Sequence, residues 1–279
     1  MSEERWETVN GIMMTTERIG AYGGTGFDRE MLESAAASIK ANGLPMHVEH
    51  DLGRPIRVRN FDAFVENRAD GIDLLRFSVE IHPDDAHWAN DLGSVSFTMT
   101  TPIDRPSGYV EPDAPEIAIS ADHAWFDDDA ILAAETAMRS AGVAPELISA
   151  ERALQFSFLP DPQIFLSVAM DLLTGLGSSA IWEGVLILFR SRRTPPGGDA
   201  EKSTTINLTL LNDESSMTAV IETNSEAVAL RALDSVDEMV RAIRGQKVNS
   251  DAEAHLDALP SEPSTVIWDD QARKWTPPA

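Results

Sequence analysis

The chain has 279 residues, 43% hydrophobic and 24% charged, the composition of a globular protein with enough mass for one large core or two ordinary ones. Its formal net charge of −24 argues against a nucleic-acid-binding surface and against docking on anionic membranes, since both need clustered Lys and Arg. It has no cysteine, which excludes disulfides, zinc thiolate sites and thiol catalysis and makes a cytoplasmic setting the expectation.

The chain starts with MSEERWETVNG, which is polar and acidic and shows no signal-peptide pattern. Residues 6–14 alternate as a first strand. The glycine-rich GAYGGTG (residues 20–26) fits neither the P-loop nor the dinucleotide fingerprint and reads as a turn. Residues 28–41 are helical: Met31, Leu32, Ala35 and Ile39 recur at helical spacing, and Asn42–Gly43 is a stop signal. LPMHVEHDLGRPIRV (residues 44–58) is a strand through His50, a turn, and a second strand. Residues 61–65 and 72–81 are strands joined by an Asp70–Gly71 hairpin. A short helix over 83–92 has an acidic first turn, which suits the helix dipole. The β-formers SVSFTMTT (residues 94–101) and EIAIS (residues 116–120) close this region across a Pro/Gly-rich loop. Residues 1–126 therefore read as a mostly antiparallel β domain with few helices.

Composition then shifts. Residues 127–190 read as a helical, apolar region: a helix over 127–140, a break at Gly142–Pro145, a second helix over 146–153, and buried helix over 172–189. LQFSFLP and QIFLSVAM within it fit strand or helix alike. The stretch 162–189 is interrupted by Asp171, Glu183 and glycines, so it is read as core rather than as a membrane span. Residues 191–203 (SRRTPPGGDAEKS) have linker composition. Residues 204–246 form a ββα module, and residues 247–279 an acidic tail with a candidate hairpin across Asp269–Gln271. The fold class is α+β.

Residues 44–58 hold the densest usable chemistry. His47 and His50 stand three apart, so on a strand they point to opposite faces. With His82, His87, Asp84 and Asp85 they make a conceivable divalent-ion set, but the familiar metal-hydrolase spacings are missing, and no metal or cofactor is expected. A hydrolase needs a nucleophile, a base and a group that orients the base. His50 serves as base. Ser94 and Ser96 share one face of a strand and offer the nucleophile. Glu116, Asp51 or Asp122 can orient the imidazole.

The order of these elements resembles the tailed-phage prohead proteases, capsid-maturation serine proteases related in fold to herpesvirus assemblins. The resemblance covers about residues 10–125. VEHDLGRPIR matches the histidine segment, with Arg57 where the family usually has Gly; Asp70–Gly71–Ile72 matches its hairpin. Ser96–Phe97–Thr98–Met99 stands at the nucleophile strand, with Thr98 in place of a small glycine, and Glu116–Ile117–Ala118–Ile119–Ser120 at the closing strand. The resemblance implies an assemblin-like barrel and a serine endopeptidase with His50 as base, Ser96 as nucleophile and Glu116 (or His123) as third member. Its partner is then a protein substrate. The alternative expectation is a non-catalytic assembly protein that keeps the fold, binds a protein partner, and forms a homo-oligomer through the apolar residues 164–189.

Overall fold

The computed structural model describes residues 6–17, 26–42, 46–47, 55–86, 98–105, 112, 115–155, 161–175, 178–195, 198–212, 215–243 and 264–276. They form an α+β protein with five α-helices, a three-stranded antiparallel sheet and an eight-stranded mixed sheet. Two compact units result, Met1–Thr98 with Gln155–Phe158, and Met99–Leu154 with Leu159–Ala279.

In the first unit, β1 (Glu7–Thr15), β4 (Val58–Asn67) and β5 (Asp73–Ile81) form the sheet in the order β1-β5-β4, and β2 (Met46–His47) pairs with β3 (Pro55–Ile56). The central strand β5 is the most buried: Leu75, Phe77, Val79 and Ile81 alternate on one face at 0–1% exposure. Helix α1 (Arg29–Asn42) packs on β4 and β5, and its Leu32, Ala36 and Ile39 are buried at helical spacing. Asp28 caps the helix by accepting from the Met31 amide at 2.9 Å. The β4–β5 turn closes at Gly71, where φ is +85°, with the Arg68 amide donating to the Ile72 carbonyl at 2.8 Å. Gly11 lies opposite Phe77 in the β1–β5 ladder, and a Cβ there would stand 2.4 Å from the buried ring. Gly11→Ala is therefore expected to destabilise this sheet by about 1–3 kcal/mol, read from denaturant melts; an unchanged midpoint would refute the packing account.

The eight-stranded sheet runs β13-β12-β11-β10-β9-β7-β8-β6. Its strands are β6 (Thr98–Pro102), β7 (Ile117–Asp122), β8 (Ile148–Gln155), β9 (Gln163–Ala169), β10 (Thr204–Asn212), β11 (Ser215–Thr223), β12 (Ser264–Asp269) and β13 (Lys274–Thr276). Three parallel pairs are joined through helices. β7 and β8 are linked by α2 (Asp128–Ser140), β9 and β10 by α3 (Met170–Gly175) and α4 (Ser179–Arg190), and α5 (Glu226–Ile243) lies between β11 and β12 in the chain. Register places Ile119, Leu166, Leu208, Ala219 and Val266 in one row across five strands, all at 0–1% exposure. Helices α2, α4, α5 and α3 contact one another and these strands, so they form the layer above that row. Gly184 of α4 allows close approach to α2, because a Cβ there would stand 2.4 Å from Met138 Cε and 3.1 Å from the Ala134 carbonyl. Helix α2 ends in a Schellman turn at Gly142 (φ +104°), with the Val143 amide on Met138 O and the Gly142 amide on Arg139 O.

Several expectations change. The assemblin-like barrel is not closed among the described residues: β6 and β7 belong to the eight-stranded sheet, while β1, β4 and β5 form their own. The first of the two compact units runs to Thr98. Residues 148–155 are a strand rather than a helix, because pairing with β7 from Ile148 to Ala153 outweighs the local helix propensity of Ala, Glu and Arg. The ββα segment is built into the large sheet, since β10 pairs with β9 as well as β11. The apolar stretch expected to make an oligomer interface is internal: Ile164, Leu166, Val168, Ile181, Val185 and Leu188 are 0–1% exposed. Among the described residues, no helix is long and apolar enough to cross a membrane.

Candidate functional site

His50, Ser94 and Ser96 lie outside the described residues. Glu116 is described. It heads β7 in the second unit, exposed, with its amide donating to the Leu147 carbonyl (3.1 Å) and its carbonyl accepting from the Ala169 amide (2.9 Å). Its backbone is fixed from two sides, and its carboxylate makes no ion pair among the described residues. Asp122, a second candidate to orient a histidine, is fully buried and turns back to accept from the Ala124 amide at 2.9 Å.

The acidic pair Asp84–Asp85 is held by Arg57. The Arg57 Nε donates to Asp85 Oδ2 at 2.8 Å, its Nη2 reaches Asp85 Oδ1 at 3.0 Å and Asp84 Oδ2 at 3.1 Å, and its own amide donates to Asp85 Oδ2 at 3.0 Å. The guanidinium holds the Asp85 carboxyl below the usual carboxylate range. His82 is buried beside this clamp: its Nδ1 accepts from the Asp84 amide at 3.3 Å, and its ring meets Trp6 edge-on at 5.2 Å. Arg57, which departs from the family pattern, thus fastens the turn after β5 to the residue that joins β3 to β4. The fork geometry suits a planar carboxylate and would be lost with a glycine.

A second histidine cluster sits where β7 runs into α2. This is the carboxyl end of a parallel β–α–β unit, where open α/β sheets commonly place ligands. His123 donates its amide to the Ala153 carbonyl at 2.8 Å. Its Nδ1 is buried and lies 3.3 Å from the buried Oδ1 of Asp128, while the ring is 28% exposed. The other oxygen of Asp128 accepts from Arg152 at 3.0 Å. Burial pushes the imidazole below the usual histidine range; Asp128 opposes this, and Arg152 and Arg193 add to it. Asp127 caps α2 through the Ala130 amide at 3.0 Å.

The corner is strapped by residues read as linker. Arg193 donates from Nη2 to the His123 carbonyl at 2.8 Å and from its amide to the Trp125 carbonyl at 2.9 Å. Arg192 stacks over the buried Trp125 ring at 4.7 Å and reaches Thr204 and Asn224, each at 3.0 Å. Sequence reasoning named His123 only as a substitute third member and missed Asp128, Arg152 and the two arginines. The acidic start of a helix just after a strand-terminal histidine was the available signal. Chemically, the arrangement makes an imidazole less basic and fixes a loop; the described residues place no nucleophile against it. Nor do they contain a group of three or more His, Asp or Glu placed to hold a metal ion.

Compared with protein-family models, with curated proteins and with solved structures, the chain finds no match in any of the three.

Proposed function

We propose that the chain is a serine peptidase-like hydrolase of prohead-protease type, with Ser96 as nucleophile, His50 as base and Glu116 as the carboxylate candidate. The observation that carries this reading is order. A histidine segment, a hairpin turning at Gly71, a Ser-Phe segment and a glutamate heading a strand follow one another as the resemblance requires, and the Glu116 carboxylate makes no ion pair among the described residues. A protein substrate and a cytoplasmic setting belong to the same proposal, the latter supported by the lack of cysteine. A fluorophosphonate probe tests it, because such probes phosphonylate a serine only when a neighbouring base activates it. Labelling is expected at Ser96 by peptide mapping and is expected to vanish in His50→Gln. Labelling elsewhere, or none in wild type, would sink the assignment.

A second reading is a non-catalytic protein that binds a protein partner or self-associates. It is favoured by a separate observation: the acids beside both described histidines are taken up in ion pairs with arginines, Asp85 with Arg57 and Asp128 with Arg152, which fasten local structure. Sedimentation of the purified chain over a concentration series checks self-association, and a monomer throughout would remove that form of it.

A further inference from the structure

We propose that the β7–α2 corner is an acid-sensitive latch: protonation of His123 loosens the grip of Arg193 and frees the strap that follows α4. The ring is faced from three elements. Asp127 and Asp128 come from the start of α2, Arg152 from β8, and Arg193 from the strap. Asp104 stands 3.7 Å from Arg152, and the buried Asp122 is turned towards the Ala124 amide.

Neither His123 Nδ1 nor Asp128 Oδ1 makes a hydrogen bond in this arrangement, although both are buried and 3.3 Å apart. A proton added at Nδ1 must turn the ring to reach Asp128, whose other oxygen is already given to Arg152. The imidazolium would then be faced by the guanidiniums of Arg152 and Arg193 as well as by the carboxylates of Asp127 and Asp128. One of these, Arg193, is bound to the carbonyl of His123 itself, to that of Ala124 (3.4 Å from Nε) and to Asp127 Oδ2 (3.4 Å from Nη1). Like charges partly out of water repel, and the group that yields is the one with the weakest attachment. That attachment is the strap, since Asp128 and Arg152 are anchored in a helix and in an inner strand, whereas Arg193 is on irregular chain.

The released segment carries Arg192 and Arg193 side by side, in a chain with only 22 Lys and Arg. Acidification would thus present a basic segment on an acidic protein.

The direction follows from linkage. The folded imidazole titrates below its unfolded value, so the closed latch is fully stabilised above about pH 6.5, the unfolded histidine value, and loses stability as pH falls through the folded one.

The test is hydrogen exchange of the full chain by NMR, with the Arg193 amide as reporter because it donates to Trp125 O at 2.9 Å. Its protection factor, corrected for intrinsic rate, is expected to fall between pH 7.5 and 5.5 by up to about tenfold per pH unit, the limit for one proton. The Ile206 and Ile221 amides in β10 and β11 should stay constant, and in His123→Gln the fall should disappear. Protection that is flat, that rises as the His123–Asp128 pair tightens, or that falls equally in the variant overturns the proposal. If His123→Gln does not fold, the wild-type His123 ring is titrated by its Cε1 proton shift. A fall in Arg193 amide protection that follows that titration then supports the latch, and protection that does not follow it overturns it.

Discussion

Under the proposed serine-peptidase function, replacing Ser96 with Ala is expected to remove peptide-bond cleavage, lowering the rate on an unfolded protein such as casein by about 10³–10⁶-fold. The size follows from what a serine hydroxyl does. It supplies the atom that becomes bonded to the acyl carbon, and a methyl group cannot take its place; water would have to attack in an arrangement built for a covalent step. His50→Ala should cost about as much, and the double variant no more than either single one, since base and nucleophile act in one step. Glu116→Gln should cost less, because it alters how the imidazole is oriented rather than who attacks. Ser94→Ala, two residues away, is the control, and it should leave the rate nearly unchanged. Cleavage that survives Ser96→Ala with the chain still folded would end the assignment, and loss in Ser94→Ala alone would move it by two residues.

The largest expected effect on stability lies at Glu135. Its side chain is 3% exposed, in the middle of α2, and takes Arg105 Nη1 on one oxygen at 2.5 Å and Arg139 on the other. The Arg105 side chain is itself only 12% exposed and donates its second terminal nitrogen to the Ala150 carbonyl of β8 at 3.1 Å. Removing the carboxylate takes away the charge that balances a guanidinium held out of water. Glu135→Ala is expected to cost about 3–5 kcal/mol, as when one member of a buried ion pair is lost. For a unit of this size that is a fall of roughly 10 °C in Tm by calorimetry. Much of the loss should be recovered in Arg105→Met/Glu135→Leu, because an apolar pair of similar volume avoids the desolvation penalty altogether. A double variant as unstable as the single one would show that the network supports the fold by shape rather than by charge.

The sequence made some elements plain and hid others, for reasons visible at particular residues. Helix α2 was readable because Asp127, the alanine-rich face and Gly142 all carry local signals, and the β4–β5 hairpin because Asp70–Gly71 does. Strand β8 was hidden. Its residues ISAERALQ favour a helix, and what holds them extended is pairing with β7, about 30 residues earlier. The strap was hidden too: a run of Arg, Pro and Gly reads as linker until Trp125 and two carbonyls are seen beneath it. Among the candidate site residues, Glu116 was placed at the head of the expected strand, but its role depends on His50 and Ser96, which lie outside the described residues. The clusters at Arg57 and His123 join residues about 25 to 70 positions apart, a separation at which spacing carries no information.

The last strands of the large sheet bear on the life of the chain in another way. β12 joins β11 in parallel through four residue pairs, and the β12–β13 hairpin brings Trp275 to Ser235 of α5 at 2.9 Å, with Trp268 against it at 5.2 Å. A proteolytic cut just before Ser264 would detach both strands and strip one side of β11, a nine-residue strand, of its backbone partners. Such an edge adds foreign strands readily. The cut species should therefore be the one found in aggregates, and the intrinsic fluorescence of Trp268 and Trp275 would report its formation before any turbidity appeared.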